Sequence, residues 1–354
     1  MVQELNTEHK QRINLTSHAR DILRNDREMF APHLTSSGFI NELLARLVPQ
    51  EEASITEAIN KRRQYIMLRL EKKNFTEQTT EEVCSAFLEP YRESLKEKAV
   101  SWPKGTSVIF RLNNQNTELF YDPNWPDAAY YGHKPSKYMK ALLEEYASHN
   151  LYEREGLFFH EWITLAEAAR NTGKLLRIVT MNRKEERYGW DLRVYGILPN
   201  EAGLFHYIVG RSVRSGGLKS EESISSFRLS RLKDVRIMSS EYSRSGSLSK
   251  AETREIEDRI ENNQIQFLVG ENEEFIIALT KEGRQFYRQI QYMRPPLSYI
   301  DDDGYYHFNC TFYQAFQYFY RFGERAKIIK PELLKNRFLD EYRRAFEHYN
   351  KPEE

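Results

Sequence analysis

Four arginines stand on or beside two neighbouring predicted strands: Arg211, Arg214, Arg228 and Arg231. The strands are FHYIVGRS, residues 205–212, and FRLSRL, residues 227–232. Guanidinium groups make paired hydrogen bonds to phosphate, and the Tyr207 ring between them offers a surface on which a base can stack. Such a set indicates a site for a nucleic acid or a related ligand, provided that the side chains share one surface.

The spacing of the tyrosine and the arginines within each strand decides whether their side chains share a face. Tyr207 and Arg211 differ by an even number of residues, so both leave the same face of an ideal strand. Arg228 and Arg231 differ by three, so a bend or bulge is needed to unite them. The alternative is that the arginines lie on separate solvated faces or pair with the glutamates at 221–222. If they unite, we expect a nucleic-acid or ligand groove lined by Arg193, His206, Tyr207, Arg211, Arg214, Arg228 and Arg231.

The charge distribution favours a local site over a generally basic protein. The 354-residue chain holds 52 Lys+Arg and 52 Asp+Glu, so its formal net charge is zero. Residues 174–240 nevertheless hold 13 basic side chains against 7 acidic ones. An acidic ligand must therefore be recognised through this local excess, and the Ser-Gly-Gly loop at 215–217 adds backbone donors to it.

Other chemical signals are weak. Cys84 and Cys310 lie far apart without a Cys/His cluster, which predicts neither a disulfide nor a zinc site. Asp-Asp-Asp-Gly at 301–304 lacks the ligand spacing of a calcium loop and favours a hairpin turn. We therefore expect no cofactor, no metal and no catalytic residue. Since no apolar run is long enough to span a bilayer and the start is polar, we expect a cytoplasmic protein without a membrane partner.

The N-terminal third contains a degenerate repeat of a strand and two helices. Apolar residues alternate with polar ones at 12–16, as in a half-buried strand, and take the same places at 110–113. The pattern Ser-x-aromatic-aliphatic-x-x-Leu-Leu then occurs at 37–44 and again at 136–143. The alternative is two generic amphipathic helices with a plain hairpin at 107–121.

Each copy resembles the ribbon-helix-helix fold, in which two units pair their strands into a ribbon that enters the DNA major groove. The resemblance implies an intramolecular ribbon whose inward residues are Ile13, Leu15, Phe110 and Leu112. Arg and Asn side chains make two-pronged contacts to guanine and adenine edges. The outward residues expected to read DNA are Arg12, Asn14, Arg111 and Asn113. The helix starts at Ser37 and Ser136 are expected to aim free N–H groups at phosphate. A scaffold role is the alternative, because residues 1–50 carry six basic and six acidic side chains.

From residue 174 the hydrophobic period changes to two, which predicts several short strands and a small β-barrel. The stretch RVYGILP…FRLSRLKDVRI resembles a WYL domain, whose hallmark is a Trp-Tyr-Leu strand followed by a Phe-Arg-Leu-x-Arg-Ile strand. Here the triplet is His206-Tyr207-Ile208, and residues 227–232 give the closer match. The resemblance implies a strongly bent, Sm-like sheet whose tyrosine and arginines line a groove for nucleic acid or a nucleotide-like ligand.

Mixed strands and helices follow from residue 249, where Ser249-x-x-Glu252 forms a capping box. Their order resembles the extension that follows WYL domains, which implies a ferredoxin-like α+β fold that often helps to dimerise. We therefore predict a multidomain α+β protein. Residues 1–150 are predicted to hold tandem ribbon-helix-helix-like units, at about 10–48 and 107–149. A helical insert at 54–99 lies between them and opens on a capping box at Ser54. A helical linker at 151–173, a WYL β-barrel at 174–240 and a dimerising extension at 249–354 are predicted to follow.

This order of regions resembles bacterial WYL proteins, including accessory proteins encoded beside type VI-D CRISPR systems. The resemblance implies a non-enzymatic regulatory or accessory protein that binds single-stranded RNA or DNA in the groove and enhances an RNA-guided ribonuclease. One alternative is a ligand-responsive transcription factor with its ribbon on duplex DNA. A second is a ribonuclease, for which the sequence offers no assembled acid and base. The expected partners are single-stranded nucleic acid, duplex DNA under the first alternative, a CRISPR effector ribonuclease and a second copy of the chain.

Overall fold

The computed structural model describes residues 10–71, 77–100, 105–122, 131, 134–182, 185–200, 202–215, 222–239 and 246–350. The chain forms two compact units, Met1–His160 (Unit 1) and Glu161–Glu354 (Unit 2). Across the described residues, helices occur together with three antiparallel sheets, so this is a multidomain α+β protein. In those same ranges, none of the helices combines the length and apolarity needed to cross a bilayer.

Unit 1 contains a two-stranded ribbon formed within the chain. β1 (Lys10–Leu15) pairs antiparallel with β2 (Thr106–Arg111), which puts Ile13 opposite Val108. Exposed and buried residues alternate along β1, because one face packs on helices and the other meets solvent. The residues expected to point inward are all buried: Ile13, Leu15, Phe110 and Leu112.

The described helices of Unit 1 are α1 (Ser17–Phe30), α2 (Ser36–Glu71), α3 (Glu77–Val100), α4 (Asn114–Phe120), α5 (Pro135–Ser148) and α6 (Leu151–Phe158). Because α4 follows β2 directly, the alternative of a plain hairpin at 107–121 is wrong. The capping box at Ser54 does not begin a helix, since α2 continues through it and through Pro49. The Gln50 side chain donates to the carbonyls of Arg46 and Leu157 at 2.8 and 2.9 Å, which ties this part of α2 to α6.

A buried ion pair joins α6 to the rest of Unit 1. Arg154 Nε donates to Asp26 at 2.7 Å, and the Tyr146 hydroxyl donates to the same carboxylate at 2.8 Å. A buried charge is tolerated when it is paired and hydrogen-bonded, as it is here. The segment predicted as a linker at 151–173 is therefore divided: α6 packs into Unit 1, and nearly all of α7 (His160–Thr172) belongs to Unit 2.

After α7, Unit 2 forms a five-stranded sheet in the order β6-β5-β4-β3-β7. Its strands are β3 (Leu176–Met181), β4 (Arg187–Pro199), β5 (His206–Arg214), β6 (Ser223–Arg228) and β7 (Leu232–Ile237). The two edge strands, β6 and β7, are separated by three residues in a 3₁₀ turn. Such a turn spans about 8 Å, whereas the edges of a flat five-stranded sheet lie about 19 Å apart. The sheet must therefore curl until its edges approach each other.

The C-terminal part of Unit 2 comprises α8 (Lys250–Asn263), β8 (Asn272–Leu279), α9 (Lys281–Gln289), β9 (Leu297–Ile300), β10 (Tyr306–Thr311), α10 (Phe312–Phe319), β11 (Ala326–Lys330) and α11 (Glu332–Tyr349). Its sheet order is β11-β8-β10-β9, and a core rich in Phe and Tyr lies against it. Asp301–Gly304 forms the predicted hairpin turn between β9 and β10, where Gly304 adopts a φ of +79°. No group of three or more His, Cys, Asp or Glu side chains suited to a metal gathers within the described ranges.

Gly210 on β5 allows close approach to β4, and this generates a test of the curled sheet. A Cβ atom at this position would lie 2.1 Å from the Arg193 carbonyl oxygen, beside the irregularity between Val194 and Gly196. Gly210→Ala must shift the backbone, so we expect it to lower the free energy of unfolding of Unit 2 by about 2 kcal/mol or more in urea titrations. Gly196→Ala is the matched control, because its methyl group would meet Arg170 at an ordinary 3.7 Å. Equal stability of the two variants would contradict the packing described here.

Candidate nucleic-acid interface

A cavity of about 500 Å³ opens between the curled sheet and the C-terminal part of Unit 2, and we call it cavity A. Its wall includes Asn200, Phe205, Tyr207, Ser226, Phe227, Arg228, Arg231, Gln266, Phe267, Tyr292, Tyr313 and Gln317. Its volume lies within the range of pockets that hold small organic ligands. Six aromatic rings among the described residues contribute to the wall, and two guanidinium groups supply positive charge.

The 3₁₀ turn at Leu229–Arg231 brings two predicted arginines to cavity A. Arg228 ends β6 and Arg231 ends the turn. In a straight strand these side chains would leave opposite faces, and the turn supplies the bend that their spacing required. The fully buried side chain of Leu229 anchors the turn between them.

Phe205 holds an aromatic ring against the Arg228 guanidinium. The ring centroid lies 3.2 Å from Arg228 Cζ, in a cation–π contact. The Asn200 side-chain oxygen accepts from the backbone N–H groups of Leu204 and Phe205 at 2.8 and 3.0 Å. These two bonds fix the loop before β5, so the position of the ring and of the cation on it is determined locally.

Arg231 provides an accessible cation. Its side chain is exposed, and within the described residues it makes no ion pair. A phosphate can therefore bind it without first displacing a carboxylate. Two buried atoms of the wall, Ser226 Oγ and Gln266 Oε1, have no hydrogen-bond partner among the described residues. Because buried polar atoms are nearly always paired, they mark positions for a ligand donor or a water molecule.

The expectation of one continuous cationic groove is wrong, because Arg193 and Arg211 bind carboxylates. Arg193 donates to both oxygens of Glu222 at 2.8 and 2.7 Å and also to Glu252. Arg211 Nη1 lies 2.6 Å from Glu255. We call Glu222, Glu252 and Glu255 together with these two arginines the carboxylate cluster.

Helix α8 is the physical reason why Arg193 and Arg211 bind carboxylates instead of lining an open groove. Ile256 of α8 packs on Val209 of β5, which lies between Tyr207 and Arg211 along the strand. The helix therefore covers the face that carries Arg211 and supplies Glu252 and Glu255 to it. Tyr207, on the same strand, lies far enough along to line cavity A.

Two other predicted groove residues lie outside the wall of cavity A. His206 is buried, and as the neighbour of Tyr207 in a strand it faces the opposite side of the sheet. Arg214 is exposed, and its guanidinium lies over the Tyr188 ring, 4.3 Å from the centroid. The donor loop expected at 215–217 falls, beyond its first residue, outside the described part of the chain.

The predicted DNA-reading residues of the ribbon have different environments. Arg12, Asn14 and Arg111 are exposed on the outer face, where Arg12 Nε donates to Ser107 at 2.9 Å. Asn113 caps α4, since its side-chain oxygen accepts from the Asn116 N–H at 2.9 Å. The amide expected to read a base is therefore engaged in the helix cap. Residues 37 and 136 lie within first helical turns: Thr35 caps α2, and α5 begins at Pro135 without a side-chain cap.

Sequence reasoning missed most of the aromatic wall of cavity A. Phe205 directly precedes the strand that contained the predicted site, and Phe227 directly precedes Arg228, so both could have been found by their adjacency. Phe267, Tyr292 and Tyr313 come from the C-terminal part of Unit 2. No spacing signal links these three to the predicted strands, because only the tertiary fold brings them there.

The carboxylate cluster generates a pH prediction. The Arg193 side chain, hydrogen-bonded to Glu252, lowers the pKa of that carboxyl from 4.5 to about 2. A lowered folded-state pKa stabilises the protein above the unfolded-state value, and this stabilisation is lost as pH falls from about 4.5 through about 2. Glu252→Gln keeps an acceptor for the capping box but loses the charge, so we expect it to lower the free energy of unfolding at pH 7 by about 1–2 kcal/mol.

Denaturation experiments between pH 7 and pH 2 check this prediction. The difference in free energy of unfolding between the natural protein and Glu252→Gln should shrink as pH approaches 2. The control is Glu255→Gln on the same helix. Its side chain is 59% exposed, so solvent screens its ion pair and its loss should cost less. A deficit that stays constant with pH would contradict the assigned ion pair.

The fold extends to a solved structure of another protein over nearly the whole chain. A crystal structure of a CRISPR Cas-related protein superposes with a TM-score of 0.67 at 19% identity, over 97% of this chain and 94% of that one. Proteasome accessory factor B/C of Arthrobacter aurescens aligns at 13% identity over 76% of this chain and 45% of that one, but its TM-score of 0.28 carries no structural argument. No protein-family profile and no curated protein sequence matches the chain. The chain therefore shares its fold with a CRISPR Cas-related protein.

Proposed function

We propose that the protein is a non-enzymatic nucleic-acid-binding protein that takes single-stranded RNA, or single-stranded DNA, into cavity A. The observation that carries the proposal is the convergence of Arg228 and Arg231 with aromatic rings in one cavity. Guanidinium groups suit phosphate, and aromatic rings suit the faces of unpaired bases. The bases of a duplex are stacked on each other, so a cavity lined by rings favours a single strand.

The proposed biological role is that of an accessory protein to an RNA-guided CRISPR ribonuclease. Support comes from the fold shared over nearly the whole chain with a CRISPR Cas-related protein. In this proposal Unit 1 is a ribbon-helix-helix-like module, β3–β7 form an Sm-like WYL sheet, and β8–β11 with their helices form a ferredoxin-like extension. The protein would act in the cytoplasm as a homodimer through that extension.

Arg231→Ala is the sharpest test of RNA binding. We expect the natural protein to bind a single-stranded RNA with micromolar or lower Kd, and two phosphate contacts predict a slope of log K against log salt of about −1.4. Arg231→Ala should weaken binding about tenfold and reduce the slope by about 0.7, since one phosphate contact is removed. Fluorescence anisotropy over a salt series measures both quantities.

Lys233→Ala is the matched control, because Lys233 is exposed on β7 and is absent from the wall of cavity A. Unchanged RNA affinity for Arg231→Ala would remove the proposal. The same pair of variants should differ in enhancing target cleavage by an RNA-guided ribonuclease. Recovery of cleaved RNA after incubation with this protein and Mg²⁺ alone would instead support the ribonuclease alternative.

A second candidate function is operator binding on duplex DNA, favoured by the exposed face of the ribbon. Arg12, Asn14 and Arg111 leave that face together, and β1 and β2 are paired as a two-stranded ribbon of the kind that fits the major groove. Under this candidate, cavity A would take a nucleotide signal. The two functions use different surfaces of the chain and can be separated experimentally.

Competition between RNA and duplex DNA distinguishes the two candidates. If the accessory role is correct, the double variant Arg12→Ala/Arg111→Ala should leave single-stranded RNA affinity within about twofold, because no phosphate contact in cavity A is lost. The measurement is a competition series in which duplex DNA, single-stranded RNA and single-stranded DNA compete for binding. It is carried out with the double variant and with Arg231→Ala. Duplex binding abolished by the ribbon variant but kept by Arg231→Ala would favour the transcription factor.

A further inference from the structure

A second cavity of about 490 Å³ lies between α10 and α11, and we call it cavity B. The residues of its wall that matter here are Tyr313, Phe316, Gln317, Leu333, Arg337 and Asp340. Two of them, Tyr313 and Gln317, also line cavity A. Since these residues are four apart on α10, they lie on one face of the helix, one turn from each other. The two cavities therefore meet along a shared ridge.

The ridge itself is suited to a nucleotide chain. The Tyr313 side chain is 46% exposed, and its ring lies 5.8 Å from that of Phe267 in cavity A. An exposed ring beside a buried one can stack a base that passes from one cavity to the other. Gln317 adds amide groups that can hydrogen-bond to base edges or ribose.

Cavity B repeats the combination of ring and cation found in cavity A. Arg337 Cζ lies 5.5 Å from the centroid of the Phe316 ring. Two carboxylates distinguish this cavity: Arg337 lies 2.7 Å from Glu341, and Asp340 belongs to the wall. A base with an exocyclic amino group suits an Asp acceptor better than phosphate does. The chemistry indicates a base-binding subsite rather than a second phosphate site.

We propose that one nucleic-acid strand crosses the Tyr313–Gln317 ridge, with one nucleotide in cavity A and a following nucleotide in cavity B. This rests on the proposed binding of single-stranded nucleic acid in cavity A and specifies its ligand as an oligonucleotide rather than a mononucleotide. Each cavity has wall residues of its own beyond the shared Tyr313 and Gln317, so an oligonucleotide can occupy both where a mononucleotide occupies one. Linking two subsites through one strand raises affinity without any new kind of contact.

A length series with charge variants tests this proposal. Oligoadenylates of one, two, four and eight nucleotides are titrated against the full chain, and the eight-nucleotide strand should bind about a hundredfold tighter than the mononucleotide. Leu333 is 70% exposed, so both a negative and a positive side chain fit there. We expect Leu333→Glu to weaken binding of the eight-nucleotide strand about fivefold and Leu333→Lys to strengthen it similarly, through the phosphates nearby. Both should leave mononucleotide affinity unchanged.

Leu339 provides the matched control on the same helix. It is 52% exposed and is absent from the wall of cavity B, so Leu339→Glu and Leu339→Lys make the same net-charge changes elsewhere. If Arg231→Ala weakens the long strand but the Leu333 variants behave like the Leu339 variants, the path through cavity B is refuted and RNA binding in cavity A stands. If no oligoadenylate binds and Arg231→Ala changes nothing, the proposed function itself fails.

Discussion

The three-residue link between β6 and β7 is the constraint on which the architecture of Unit 2 depends. These strands are neighbours in sequence but occupy opposite edges of the sheet, so the link can close only if the sheet curls. Curling requires places where β4 and β5 bend together, and the irregularity at Val194–Gly196 opposite Gly210 provides one. The same link carries Arg231 into cavity A, directly after Arg228 at the end of β6. The closure of the sheet and the construction of the site thus have one cause.

Helix α8 divides the basic surface of the sheet into two parts with different electrostatics. At one end the carboxylate cluster neutralises Arg193 and Arg211, and the pairs Arg193–Glu252 and Arg211–Glu255 hold the helix on β4 and β5. Directly after α8, a short turn brings Gln266 and Phe267 into cavity A. The paired arginines therefore contribute to the site by positioning its opposite wall, while the charge available to a ligand comes from the 3₁₀ turn.

Much of the local structure could be predicted from the sequence, because it depends on near neighbours. The alternation at 12–16, the capping box at Ser249 and the hairpin turn at 301–304 are each determined within a few residues, and each occurs as expected. The composition of the site could be predicted only in part. Whether Arg211 meets a phosphate or Glu255 depends on where α8 docks, and a separation of 44 residues leaves no periodic signal. For the same reason, the aromatic residues from beyond residue 260 could not be assigned.

The zero net charge of the chain is consistent with this division of the arginines. Nonspecific nucleic-acid binders attract the backbone through a broad positive field, which 52 basic and 52 acidic residues do not provide. If the chain binds a single strand as proposed, its affinity must arise at short range, from stacking and from a cation such as Arg231, which makes no ion pair within the described residues. Pairing Arg193 and Arg211 internally removes two charges that would otherwise bind any phosphate. Under the proposed function, the ligand is selected by the shape of an aromatic cavity with Arg231 at its wall. Shape distinguishes a single strand from a duplex where charge alone does not.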